Sequence, residues 1–379
     1  MWVVPAPRGA GTGPPLCDLE PRALKVFPSD RLPRAARLPG ERISIGSGRQ
    51  SLSKVTRKSG VVGENPVFEW GFDSLAGNEG GASAVVQRID VTGAEGVRLA
   101  AWQFREPVAE AEAEPDPRPG VLLLHGLMGR ASHWAGTAQW LAERRRVVAL
   151  DQRGHGHSDR PPAGADPHTA LGREAFVADA EAVVEQLGLA PVTLIGHSMG
   201  ALTAWQLAAR RPDLVAALVI CDMRASALGA ASQREWEDWF HLWPLPFPSQ
   251  AAARRWFGED DPRVERPDPG RGAFFAEVMH EAADGWRPLF SRRQMLKARE
   301  TWVHDAHWEE LAQVRCPTLV VRGLDGELGR AEAQEMVRVL PAGRYAEIPD
   351  AGHYLHYDQP AAWRAALEPF LDDIPAPAP

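Results

Sequence analysis

Gly196-His197-Ser198-Met199-Gly200 reads G-x-S-x-G, a spacing that suits a hydroxyl nucleophile held in a sharp turn. Such a turn strains the backbone at the serine, and small residues two places to either side let the flanking segments pass each other. A serine hydroxyl is a weak nucleophile by itself. It needs a base within hydrogen-bond reach, a group that orients the base, and N–H donors for the oxyanion formed on attack. Histidines that could serve are His125, His155, His157, His304, His307, His353 and His356. The pairs His155/His157 and His304/His307 also have the look of metal ligands, but neither brings a third and fourth ligand, so no metal site is expected.

The elements that must position these groups follow from apolar periodicity. Gly120 to Gly126, Val147 to Asp151, Val192 to Gly196, Leu214 to Cys221 and Thr318 to Val321 are short apolar runs, the form of strands buried on both faces. Helix-compatible stretches lie between or after them: Trp134 to Glu143, Arg173 to Leu187, Ala201 to Arg210 and Pro360 to Leu371. Strands alternating with helices predict an α/β fold around a mostly parallel sheet, with reactive loops at the carboxyl ends of the strands. Before the first of these runs, Val85 to Val91 alternates like a half-buried antiparallel strand. Val97 to Leu99 and Trp102 to Phe104 do likewise, with a phase slip at Ala100-Ala101 that suggests a bulge.

With Ser198 between a buried strand and a helix, residues 85–375 resemble the α/β-hydrolase fold family. Three further segments carry the resemblance: His125-Gly126-Leu127-Met128-Gly129, Asp151-Gln152-Arg153-Gly154-His155-Gly156-His157-Ser158, and Ala351-Gly352-His353-Tyr354. It implies that Ser198 is the nucleophile and His353 the base that takes its proton. It implies that the backbone amides of Leu127 and Met199 form the oxyanion hole, and that His125 shapes its loop rather than reacts. His356 lacks the preceding glycine and is not expected to be the base.

The acid is where this sequence departs from the family pattern. After Thr318 to Val321 the chain reads Arg322-Gly323-Leu324-Asp325-Gly326-Glu327-Leu328, and the usual acid place, three residues after the first glycine, is Gly326. Asp325 comes one residue early and Glu327 one late. Asp222, directly after the Leu214 to Cys221 run, stands at an alternative place used by some members. Asp325 is the favoured acid, with Asp222 and Glu327 as rivals.

Between Asp222 and Gln313 no strand-like run occurs, and seven tryptophans fall there: Trp236, Trp239, Trp243, Trp256, Trp286, Trp302 and Trp308. The resemblance makes residues 222–313 a helical cap over a core of 84–221 and 314–375. Most of the tryptophans are expected to pack cap against core. One or two, with Phe240, Phe247 or Phe290, are expected to line an apolar substrate pocket.

Composition bounds the rest. The 379 residues carry a net charge of -8, but residues 1–60 hold eleven Lys and Arg against four acids, leaving -15 on the remainder. Residues 1–83, rich in Gly and Pro, read as a disordered basic extension. Gly9, Gly11 and Gly13 do not make a dinucleotide loop, since no strand precedes them and Pro14-Pro15 follows. An acidic surface predicts no nucleic-acid partner, and no run reaches the roughly 18 apolar residues of a membrane helix. Three cysteines, Cys17, Cys221 and Cys316, with no C-x-x-C pair, fit a reducing, cytoplasmic setting. No heme, flavin or nicotinamide site is expected, and the oligomeric state is not legible. The expected function is hydrolysis of an ester-like bond in a small substrate with a hydrophobic portion. The alternatives are acyl transfer, carbon–carbon bond hydrolysis, or a non-catalytic ligand-binding or scaffold role.

Overall fold

Gly120–Leu124, Val192–His197 and Thr318–Gly323 are buried along their whole length, and burial on both faces is what makes them unbroken apolar runs. A computed structural model of the protein describes residues 85–105, 120–161 and 164–374. The extension expected over 1–83 and the connection from Glu106 to Pro119 lie outside the described residues. Eight strands form the main sheet: β1 (Val85–Thr92), β2 (Arg98–Arg105), β3 (Gly120–Leu124), β4 (Arg146–Asp151), β5 (Val192–His197), β6 (Val215–Cys221), and two later ones. A small hairpin of β7 (Met279–Ala282) and β8 (Gly285–Pro288) precedes β9 (Thr318–Gly323) and β10 (Gly343–Ile348). The order across the main sheet is β1-β2-β4-β3-β5-β6-β9-β10, parallel from β4 to β10, with β2 antiparallel to both β1 and β4.

Two expectations about strands give way here. β2 pairs with β1 without interruption from Thr92↔Arg98 to Val85↔Arg105, so no bulge occurs at Ala100-Ala101. Both alanines are fully buried, because both faces of β2 are covered, Leu99 and Ala101 lying in one core and Trp102 and Phe104 in another, which leaves no solvent face to enforce alternation. The segment between β6 and β9 does contain strands, namely the hairpin. Asp284-Gly285 was its available signal, and backbone bonds between Phe247 and Trp286 in both directions (3.0 and 2.8 Å) tie it to the preceding chain.

The two faces of the sheet bury separate cores. One holds Leu122, Leu194 and Leu218 against the helices Arg173–Gln186 and Met199–Arg210; the other holds Leu123, Ile195 and Val219 against Ala135–Ala142 and Pro360–Asp372. A third, aromatic core belongs mainly to the segment between β6 and β9, with helices Gly229–Leu242, Gln250–Arg255, Pro269–Glu277 and Arg292–Glu300, while the helix Trp308–Gln313 packs Leu311 into the first core. Side chains start several of these helices: the Ser249 hydroxyl accepts from Ala252 N at 3.0 Å, and the Asp268 carboxylate accepts from Arg271 N at 2.8 Å ahead of Pro269. Trp239, Trp243, Phe257 and Phe275 pack edge to face or stacked in this core, and Leu127, Met128 and Met199 join it from beneath. This is how the aromatic layer comes to rest on the loops around Ser198.

Candidate active site

Ser198 stands between the end of β5 and the helix Met199–Arg210 with φ 52° and ψ -124°, a strained conformation for a residue with a side chain. Both glycines of the motif are set by backbone contact. A Cβ on Gly196 would lie 2.4 Å from the Gly200 carbonyl oxygen, and one on Gly200 would lie 2.2 Å from the Leu124 carbonyl oxygen. The turn is closed by Ser198 N–H donating to the Cys221 carbonyl at 2.9 Å, and by Ala201 N–H donating to the Ser198 carbonyl at 2.8 Å. Met199 is the first residue of the helix, so its N–H has no intrahelical acceptor.

The loop after β3 carries the other candidate amide, that of Leu127. Met128 N–H donates to His155 Nε2 at 3.1 Å, while Leu127 N–H makes no hydrogen bond among the described residues. His155 can accept because its Nδ1–H donates to the Arg153 carbonyl at 2.9 Å, and burial pushes its pKa down to about 3, keeping the ring neutral. His125 is likewise driven by burial down to about 4. It donates through Nδ1 to Gly126 O at 2.8 Å and accepts Gln152 N–H at Nε2 at 3.0 Å. These rings brace loops. Among the described residues no group of three His, Cys, Asp or Glu side chains could hold a metal ion.

His353 Nδ1 meets the Asp222 carboxylate at 2.7 Å. The favoured acid, Asp325, is not brought to it: its exposed carboxylate pairs with Arg266 at 2.5 Å. The physical reason lies at Gly326, where a Cβ would sit 2.4 Å from Asp222 Oδ1, so the carboxylate of Asp222 occupies the space a side chain at the usual acid place would use. Asp222, itself at φ 44°, is fully buried and accepts two more bonds, from Glu327 N at 2.8 Å and Leu328 N at 3.2 Å. Glu327 thus contributes its amide to Asp222, and its own exposed side chain lines the cleft onto which Ser198 and His353 open. Burial opposes charge on His353, but the nearby Glu327 and the hydrogen-bonded Asp222 outweigh it and push the pKa up to about 9. No hydrogen bond closes between Ser198 Oγ and His353 among the described residues, as is common before substrate aligns the pair.

Two groups around His353 went unnoticed in the sequence. His197, the variable residue inside the serine motif, donates Nε2–H to the His353 carbonyl at 2.8 Å, and burial holds its pKa well below the ordinary value. Asp358 accepts Gly352 N–H at 2.9 Å, fixing the residue before His353; burial raises its pKa to about 6. His356 is buried and stacks on Trp134 at 4.5 Å, away from the acid. His304 is exposed, while His307 is buried and donates to the Trp302 carbonyl at 3.2 Å.

Ser198 and His353 open onto one cleft, whose apolar lining includes Met223, Leu228, Trp236, Phe274 and Trp302. Of the candidate pocket aromatics, Trp236 and Trp302 face it; Phe240, Phe247 and Phe290 lie instead in the aromatic core. Arg299, in the same lining, is buried, and nothing in its sequence neighbourhood singled it out.

Comparison with known proteins follows the same lines. The family model for the alpha/beta hydrolase fold matches residues 119–360. The sn-1-specific diacylglycerol lipase ABHD11 of Mus musculus is 28% identical over 267 residues, covering 67% of this chain and 81% of that protein. A fluoroacetate dehalogenase of Burkholderia sp is 28% identical over 272 residues, covering 67% of this chain and 88% of its own. The crystal structure of E-2-(acetamidomethylene)succinate hydrolase superposes with a TM-score of 0.63 at 23% identity, over 76% of this chain and 99% of that one.

Proposed function

We propose, from the premise that this chain belongs to the α/β-hydrolase fold family, that it is a serine hydrolase acting on an ester-like carbonyl in a small substrate with an apolar portion. The observation that carries this is the line of groups from Ser198 at a strained strand-to-helix turn to His353 on the same cleft, with His353 Nδ1 bonded at 2.7 Å to buried Asp222. In the proposed reaction, His353 Nε2 takes the Ser198 proton as Oγ bonds to the carbonyl carbon. Asp222 holds the ring with its proton on Nδ1 and stabilises the imidazolium that forms. The amides of Leu127 and Met199 donate to the oxyanion. The imidazolium then protonates the leaving group as its bond breaks, leaving an acyl-serine. Water, deprotonated by the same ring, attacks the acyl carbon and frees Ser198.

Serine at 198 speaks against the chemistry named for the dehalogenase relative, since the family resemblance associates that branch with an aspartate nucleophile. The non-catalytic alternative drew on an acid displaced from its usual place. Asp222 on His353 removes that motive. The test pairs wild type with Ser198→Ala on 4-nitrophenyl esters and a fluorophosphonate probe. Loss of the nucleophile should lower turnover by up to about six powers of ten and abolish labelling. A wild-type protein that neither labels nor turns over any ester across chain lengths refutes the proposal.

A further inference from the structure

Arg299 lies in the helix Arg292–Glu300 and is 1% exposed, yet it borders the same cleft as Ser198. A guanidinium so buried ordinarily meets a carboxylate. Here its Nη1 donates to the neutral Gln233 Oε1 at 2.8 Å and its Nη2 to the neutral Ser232 hydroxyl at 2.7 Å. Among the described residues no carboxylate stands within ion-pairing distance, and Nε has no acceptor at all. Glu327, on the same cleft, is exposed and forms no ion pair with it. Burial lowers the Arg299 pKa to about 10, so the side chain remains a cation at neutral pH. The ring faces of Trp236 and Trp302, with centroids 4.7 and 5.5 Å from its Cζ, hold the guanidinium plane in place.

Trp302, which also lines the cleft, carries a second buried donor that is unanswered. Trp302 Nε1–H has no acceptor, and Trp302 is 7% exposed. Indole and guanidinium N–H groups only donate, so whatever satisfies both must bring acceptors. The other arginine on the cleft, Arg224, is already paired with Glu332 at 2.9 Å. A guanidinium that no carboxylate touches, its charge offset only at a distance by Glu327 and Glu235, stands with two free donors and matches a single planar anion with two oxygens. A phosphate monoester carries nearly two charges at neutral pH and fits this balance less well.

We infer that the cleft binds a substrate carrying one carboxylate, which Arg299 Nε and Trp302 Nε1 receive while the substrate's apolar part lies on the surrounding aromatic and aliphatic side chains. This deepens the serine-hydrolase proposal, on which it rests for placing the scissile group at Ser198, but binding can be measured without turnover.

The test uses the full chain carrying Ser198→Ala, with affinities from titration calorimetry for monomethyl glutarate and for dimethyl glutarate, which differ by one negative charge. The monoanion should bind at least about tenfold tighter, in keeping with hydrogen bonds to a charged group. Adding Arg299→Met should erase that preference, and Trp302→Phe, which keeps an aromatic ring and removes one donor, should weaken the monoanion alone by several-fold. Inorganic phosphate serves as the comparison anion and should compete poorly. Equal binding of the two esters, failure of both to bind with a Kd below about 1 mM, preference for phosphate, or a monoanion preference untouched by Trp302→Phe and Arg299→Met overturns the inference. If the arginine variant does not fold, Trp302→Phe decides alone. Turnover of neutral esters by wild type without any carboxylate preference sinks this inference and spares the serine-hydrolase proposal; carboxylate binding without turnover does the reverse.

Discussion

Replacing Asp222 by Asn is the most searching perturbation of the proposed triad, because it keeps the volume and changes only what the side chain can accept. Every group that approaches the Asp222 carboxylate is a donor: His353 Nδ1 at 2.7 Å and Glu327 N at 2.8 Å on Oδ2, and Leu328 N at 3.2 Å on Oδ1. An amide offers one oxygen and one NH₂ group. If its oxygen takes the place of Oδ2, its NH₂ opposes the Leu328 amide. If it flips, the NH₂ faces His353 Nδ1 and drives the ring to the tautomer with its proton on Nε2, which cannot accept the Ser198 proton. In both orientations the imidazolium formed during attack loses its counter-charge. The turnover number should fall by about 10³–10⁴, equivalent to roughly 4–5.5 kcal/mol of barrier. Asp325→Asn breaks only a solvent-exposed pair with Arg266, a contact worth about 0.2–1 kcal/mol of stability, and should leave turnover within about twofold. The assay is steady-state hydrolysis of a 4-nitrophenyl ester by the two variants, with thermal unfolding checked in parallel. Full turnover by a folded Asp222→Asn protein, or an equal loss in Asp325→Asn, refutes the assignment of Asp222.

Exchanging the acid between its two family positions tests the same geometry from the other side: Asp222→Ala should be inactive, and adding Gly326→Asp should restore part of the turnover, because the two places share one space; no recovery in a folded double variant would count against that reasoning. The raised pKa of His353 predicts that kcat/KM climbs with pH toward a limb near 9 as the ring loses its proton. Glu327→Gln removes an anion that favours the imidazolium, so its limb should move to lower pH, less so at high salt because Glu327 is exposed; a limb that stays put or rises in the pH profile contradicts this. The same raised pKa means that the folded protein holds a proton the unfolded chain releases near 6.5. The stabilisation is therefore complete below 6.5 and is lost as pH rises through about 9, a decline that denaturant titrations should find shallower in Glu327→Gln.

Where a constraint acts within a few residues, it was readable in the sequence by itself. The serine turn is partly of this kind: Gly196 is forced by the Gly200 and Ala201 backbone just past Ser198, and spacing announced it, although Gly200 is forced by the Leu124 and His125 backbone brought in by the fold. Buried parallel strands announced themselves too, since burial on both faces leaves no polar position to interrupt them. β2 misled for the same reason in reverse, cores packed on both its faces having removed the solvent side that its own alternation suggested. The carboxylate that meets His353 was beyond such reading. Asp222 and His353 are 131 residues apart, and which carboxylate arrives depends on β6 and β9 lying side by side and on the empty place at Gly326. The glycine in the usual acid position was a signal, but only as an absence whose meaning required knowing what fills it. Arg299 shows the same limit: its residue type is ordinary in an exposed helix, and only the tertiary fold, by burying it without a partner carboxylate beside the cleft that Ser198 and His353 line, makes its charge informative.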